Sequence, residues 1–226
     1  MHKTRDTHPG ETVVLVHALW LRGRWLFLLA RRIARRGFDV DYGFSYASVR
    51  APMSVHAKRL AEHIAKLGAS RVHLVGHSMG TLVILKMLAE QSDPRIGRVV
   101  LLGPPFHGSL AGRVVGSVLP GRLLLGRSYV LWSRQEQVPA PRDTEVGVIA
   151  GIRPLGAGTL LGVLESPHDG VVTVKETRVP NVRDHVTLNV SHTEMIFAPV
   201  VARQVCDFLE HGRFDRSRPQ SSADAA

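Results

Sequence analysis

Short apolar runs alternate along this chain with longer amphipathic stretches, and glycines or polar turns separate them. Thr12–His17 is a β-branched apolar run, as a strand buried on both faces requires. A helical period follows from about Arg22 to Arg36 and stops at Gly37, where a C-cap glycine belongs. Phe38–Tyr42 predicts a second strand, and Ser54–Leu67 a second helix ended by Gly68. Arg71–Gly76 predicts a third strand that runs straight into Ser78–Gln91. That helix is apolar on all sides and therefore lies inside the protein. Arg98–Gly103, Glu145–Ala150 and His185–Val190 predict three more strands, and a last helix spans about Glu194 to Glu210. Strands alternating with helices imply an α/β domain, with a mostly parallel central sheet of about six strands flanked by helices.

One stretch breaks the alternation. Gly103–Arg142 is about forty residues rich in glycine and proline, too long for a simple connection. Its apolar residues, Val114, Val118, Leu123, Leu124, Tyr129 and Trp132 among them, predict one or two short helices capping the strand ends. The domain would then run over residues 1–212, with the cap inserted at about 104–142. Residues 213–226 are small, polar and proline-containing, which predicts a disordered C-terminal tail.

The 226 residues suit one elaborated domain, at roughly 150 residues per domain. Hydrophobic residues make up 44% and charged residues 21%, both ordinary for a globular chain. The single cysteine, Cys206, excludes an internal disulfide framework and a cysteine-rich zinc module. Met1–Thr12 is polar without an apolar core, and no apolar run reaches the roughly 18 to 20 residues of a membrane span. The expected location is the cytoplasm.

Basic residues outnumber acidic ones by 29 to 19, a formal charge of +10. The densest cluster, Arg31, Arg32, Arg35 and Arg36, falls at the end of a predicted helix, where cations are favoured by the dipole alone. No aromatic-interleaved basic stripe or zinc finger accompanies it, so a nucleic-acid partner is not expected. The charge reads as a solvated surface, with weak contact to an anionic membrane surface as the sharper alternative.

The strongest chemical signal is Gly76-His77-Ser78-Met79-Gly80, between an apolar strand and an apolar helix. A serine on such a strained turn presents its hydroxyl above the strand ends, and small residues two before and two after let the backbone fold tightly. The helix that begins there favours developing negative charge at its N-terminus. Serine alone is a poor nucleophile and needs a base and a group to orient that base. Asp169, in the turn-rich loop Ser166-Pro167-His168-Asp169-Gly170, and His192, after the sixth strand, supply both. All three follow the carboxyl end of a strand, the edge at which open α/β sheets build their sites.

There are twelve histidines, and position separates the rivals. His168 adjoins the acid and would point elsewhere; His185 and Asp184 belong to the far end of the sheet; His77 packs inside the elbow. His17 reads as a loop-fixing residue rather than a catalytic one. Glu194 stands three residues after Ser191, the spacing of a capping box. Two backbone amides should form an oxyanion hole: that of Met79, after the serine, and one from the loop His17-Ala18-Leu19-Trp20, for which Leu19 is the candidate.

The segments VVLVHALW, GHSMG, SPHDGVVTVKET and NVSHTEM resemble the α/β-hydrolase superfamily, close to small bacterial lipases and esterases, from Val13 to Arg213. The resemblance implies an α/β-hydrolase fold, a Ser78–Asp169–His192 triad and hydrolysis of an ester or amide. It departs at Ala18, where these lipases have His-Gly; alanine would be strained there if the position needs φ > 0. The segment Pro104-Pro105-Phe106-His107-Gly108-Ser109 resembles the start of the cap in such proteins.

No phosphate-binding loop, H-E-x-x-H pair or dinucleotide fingerprint is present, so neither a metal nor a cofactor is expected. The sequence therefore predicts a serine hydrolase of carboxylic esters acting through an acyl-enzyme. Its substrate would be a small-molecule ester or acyl lipid, of short or medium acyl chain, in an apolar pocket flanked by Leu19, Trp20, Trp25 and Phe27. Two alternatives share these features: an acyltransferase with the same triad, and a non-catalytic protein that binds lipid at a membrane surface. Oligomeric state is left open.

Overall fold

Six strands form one sheet in the order β2-β1-β3-β4-β5-β6, every neighbouring pair parallel. They belong to a computed structural model that describes residues 8–110, 112, 114, 138–160 and 162–217. The strands are β1 (Glu11–Val16), β2 (Asp39–Asp41), β3 (Arg71–His77), β4 (Ile96–Leu102), β5 (Val146–Gly151) and β6 (Asp184–Leu188). The helices among the described residues are α1 (Phe27–Ala34), α2 (Met53–Ala65), α3 (Met79–Glu90), the short α4 (Ala157–Leu160) and α5 (Pro199–His211).

The sheet is covered on both faces, which is why its inner strands are continuous apolar runs rather than alternating ones. Successive side chains still part to opposite sides. Val13 and Leu15 of β1 join Leu29 and Ile33 of α1 and Val201, Val205 and Phe208 of α5. Val14 and Val16 join Leu60 and Ile64 of α2 and Val83 and Ile84 of α3.

Tertiary contacts trimmed two of the expected helices. The one predicted from Arg22 begins as a 3₁₀ turn, Gly23–Leu26, before α1. Gly23 lies so close to the neighbouring backbone that a Cβ would stand 1.9 Å from the Tyr42 carbonyl oxygen, and its amide donates to Ser45 Oγ. The helix predicted from Glu194 opens as a separate 3₁₀ turn, Glu194–Ile196, because Pro199 lacks an N–H and can only sit in the first turn of α5. α4 spans four residues, too few to show a period in sequence.

Most of the expected cap at 104–142, namely residues 111, 113 and 115–137, lies outside the described residues. At its edges Phe106, Ser109 and Ala140 are buried. Of the expected tail from 213, residues 213–217 are among the described residues. Phe214 is buried against Phe208, with ring centroids 4.9 Å apart, in the space that Gly147 leaves open. Gln204 bonds both the amide and the carbonyl of Asp215, and Arg216 pairs with Asp184 at 2.6 Å. One aromatic side chain finding a glycine gap is invisible to a reading based on local polarity. Residues 218–226 lie outside the described residues.

Two of the four clustered arginines are used within the fold. Arg36 reaches Glu210 at 2.7 Å and Arg32 donates to the Phe197 carbonyl, so both tie α1 to the C-terminal segment.

Candidate active site

β3 ends at His77 and α3 begins at Met79, which leaves Ser78 alone at the turn with φ 53° and ψ −121°. A non-glycine residue holds such a conformation only when its surroundings impose it. Three bonds do so here: Ser78 N–H donates to the Leu102 carbonyl at 2.8 Å, and the Thr81 amide and hydroxyl both donate to the Ser78 carbonyl. The flanking glycines are there for closeness. A Cβ on Gly76 would meet Ile84, Gly80 and Thr81 within 2.9 Å, and one on Gly80 would stand 2.3 Å from the Val16 carbonyl oxygen. Ser78 is 6% exposed, at the positive end of the α3 dipole.

Asp169 comes from the loop between α4 and β6 and is fully buried. Its Oδ1 accepts the amides of Val171 at 2.9 Å and Val172 at 2.7 Å, and its Oδ2 lies 2.7 Å from His192 Nδ1. Burial pushes the carboxyl up, but the His192 charge and hydrogen bond, with the two amides, outweigh it and hold Asp169 below the usual carboxylate range. With Nδ1–H donating to the carboxylate, the neutral ring presents Nε2 as its basic atom.

His192 is set by its own loop. Its amide donates to the Asp169 carbonyl at 2.9 Å. The expected capping box is formed, with the Ser191 amide donating to Glu194 Oε2 at 2.8 Å and the Glu194 amide to Ser191 Oγ at 3.4 Å. Space for the His192 ring comes from Gly103, after β4. There a Cβ would stand 3.1 Å from His192 Nδ1 and 3.3 Å from Asp169 Oδ2, and φ is +54°. Gly103 carries a single signal in the sequence, a glycine at the carboxyl end of a predicted strand.

The loop after β1 is stitched to the segment Ser45–Ser48. Tyr46 N–H donates to His17 Nε2, which leaves His17 Nδ1–H to donate to the Ala18 carbonyl. Tyr46 OH donates to the His17 carbonyl at 2.8 Å, and the Trp20 amide donates to Ser48 Oγ at 3.0 Å. His17 thus holds the loop. The strain expected at Ala18 falls instead on Trp20, whose φ is 60°. Neighbouring amides are engaged, but among the described residues neither the Leu19 nor the Met79 amide has an intramolecular acceptor. Tyr46 and Ser48 lie in an unpatterned segment that carries no signal in the sequence.

The rival groups are occupied elsewhere. His168 Nδ1 accepts the Gly170 amide, His185 Nε2 pairs with Thr177 Oγ1, and Asp184 binds Arg216. Leu19 packs on the α2–α3 side of the core, whereas Trp20, Trp25 and Phe27 are each about half exposed.

A parallel sheet carrying a serine at a strained strand-to-helix turn, with a paired histidine and buried aspartate after later strands, defines a class of hydrolase folds. The profile of the alpha/beta hydrolase family matches residues 13–204, and the chain belongs to that family. Among solved structures it is similar to the Bacillus licheniformis lipase BlEst2 in its mature form, at 23% identity and a TM-score of 0.66, over 84% of this chain and 88% of that one. A metagenomic carboxyl esterase is 18% identical with a TM-score of 0.65, over 82% of this chain and 66% of its own. The pyrethroid hydrolase PytH is 15% identical with a TM-score of 0.58, over 89% and 98%. A search of curated protein sequences finds no match.

Proposed function

We propose that this alpha/beta hydrolase cleaves carboxylic esters through a Ser78–His192–Asp169 triad. The observation that carries the reading is the 2.7 Å contact of His192 Nδ1 with a buried, amide-bound Asp169, in a chain whose serine sits at the elbow of β3 and α3. Ser78 Oγ attacks the ester carbonyl as His192 Nε2 takes its proton, and Asp169 holds the imidazole tautomer and stabilises the imidazolium. The amides of Met79 and Leu19 receive the tetrahedral oxyanion. His192 then protonates the leaving alcohol, and water, activated in turn by His192, releases the acid.

The likeness to a lipase and a carboxyl esterase supports an ester or acyl-lipid substrate, and the half-exposed Trp20, Trp25 and Phe27 support an apolar acyl group. The test is hydrolysis of p-nitrophenyl esters of increasing chain length by the wild type and Ser78→Ala. The wild type is expected to turn over short or medium esters, and Ser78→Ala to lose at least about 10³-fold in kcat. Full activity in Ser78→Ala would overturn the reading.

A further inference from the structure

His77, the residue before the elbow serine, is 3% exposed, and its ring lies against that of His192 with centroids 4.9 Å apart. Its Nε2 is 2.9 Å from the His192 main-chain carbonyl oxygen. A carbonyl can only accept, so Nε2 carries the proton. Nδ1 is buried and has no hydrogen-bond partner among the described residues. A buried polar atom left bare beside a functional site calls for a reason.

We infer that His77 is a positioning residue for His192, holding its main chain from the β3 side as a permanently neutral donor. His192 is then fixed at three points: the carboxylate of Asp169 on its ring, the carbonyl of Asp169 on its amide, and the imidazole of His77 on its carbonyl. The last of these links the base directly to the residue adjoining Ser78, so the two reacting groups share one support. Misplacement by about 1 Å at such a site costs on the order of 10²-fold in rate.

The bare Nδ1 gives the second half of the inference. Protonating it would place an unpartnered N–H⁺ in the interior, against a ring that must itself become an imidazolium during reaction. Burial, followed by the neighbouring His192, pushes His77 down to about 3; the hydrogen bond to the His192 carbonyl and the Asp169 charge act the other way without restoring it. The ring therefore contributes a donor and no charge across the working range of pH.

This inference rests on the role of His192 proposed above, so the experiment reads the tether with and without turnover. His77→Phe keeps a ring of similar size and removes the donor; His77→Gln keeps a donor. For each, kcat and KM on the preferred p-nitrophenyl ester are measured, together with the low-field Nδ1–H proton resonance of His192 in the free protein and a melting curve. His77→Phe is expected to lose about tenfold to a hundredfold in kcat with KM nearly unchanged, and to show a broadened, faster-exchanging His192 resonance. His77→Gln is expected to recover most of both. Wild-type kcat and a sharp resonance in His77→Phe would overturn the inference, as would equal losses in folded Phe and Gln variants. Should His77→Phe fail to fold, His77→Met supplies the donorless arm. If the wild type turns over no ester, the function proposed above fails and the resonance decides the tether alone: disturbed in the donorless variant supports it, unchanged overturns it.

Discussion

His192 is joined to Asp169 twice: its Nδ1 lies 2.7 Å from Asp169 Oδ2, and its main-chain amide donates to the Asp169 carbonyl at 2.9 Å. The second bond holds the two loops together whatever the side chains do, so the carboxylate meets the ring without a search. Since the amides of Val171 and Val172 fix the other carboxylate oxygen, neither partner can turn away. The pair is preorganised, and its parts can be removed one at a time.

Asp169→Asn keeps the shape but offers an amide in place of a carboxylate. The tautomer with Nδ1–H is no longer favoured, and kcat is expected to fall by on the order of 10³ to 10⁴ with little change in KM. Steady-state kinetics on a p-nitrophenyl ester check this; a loss of less than tenfold would show that His192 does not depend on the pair.

Tyr46→Phe removes the hydroxyl that donates to the His17 carbonyl and leaves that buried oxygen unpaired. The expected loss of stability is about 1 to 2 kcal/mol. Because the same loop presents the Leu19 amide, kcat is also expected to drop several-fold. Urea unfolding and kinetics on one preparation separate the two, and a stability loss without any change in kcat would remove Leu19 from the oxyanion hole.

Acid should destabilise the fold in two stages. His17, His56, His73, His77 and His185 are all held below the usual histidine range, with burial as the leading cause in each. The unfolded chain binds protons at these positions near its ordinary pKa of about 6.5 while the folded chain resists them, so their share of stability is full above that value and is lost as pH falls. Asp169, whose folded carboxyl is also lowered, adds stability above about 3.9 that is lost on further acidification. Urea unfolding free energies measured from neutral pH downward are expected to fall by at least about 1.4 kcal/mol per pH unit below pH 6. A flat profile down to about pH 4.5 would contradict the burial of neutral histidines.

Phe214→Ala tests whether the chain beyond α5 belongs to the core. The side chain is 3% exposed and packs on Phe208, so truncation is expected to cost roughly 3 kcal/mol in urea unfolding. A cost below about 0.5 kcal/mol, as for a surface position, would return this segment to the tail.

The strands and their order of appearance could be read because each is a short apolar run ended by a turn residue, and a parallel sheet covered on both faces leaves no other place for such runs. The elbow was legible because its pattern lies within five residues: Gly76 is demanded by closeness to Gly80 and Thr81, although Gly80 itself answers to the Val16 carbonyl 64 positions earlier. The capping box at Ser191 and Glu194 also lies within one turn.

What escaped depends on contacts between segments far apart in the chain. Gly103 makes room for a ring 89 positions later, Tyr46 holds a carbonyl 29 positions earlier, and His77 reaches a carbonyl 115 positions later. Helix starts shifted where Gly23 and Pro199 answered to neighbours or to a missing N–H rather than to the hydrophobic period. By itself, then, the sequence determined the α/β class, the alternation of strands and helices, and the candidate residues Ser78, Asp169 and His192, since periodicity and turn chemistry are local properties. Only the tertiary structure decided which histidine meets which carboxylate, where the strain of the loop after β1 falls and where the folded chain continues past α5. Those depend on distances set by packing the sheet against its helices, and no local pattern encodes them.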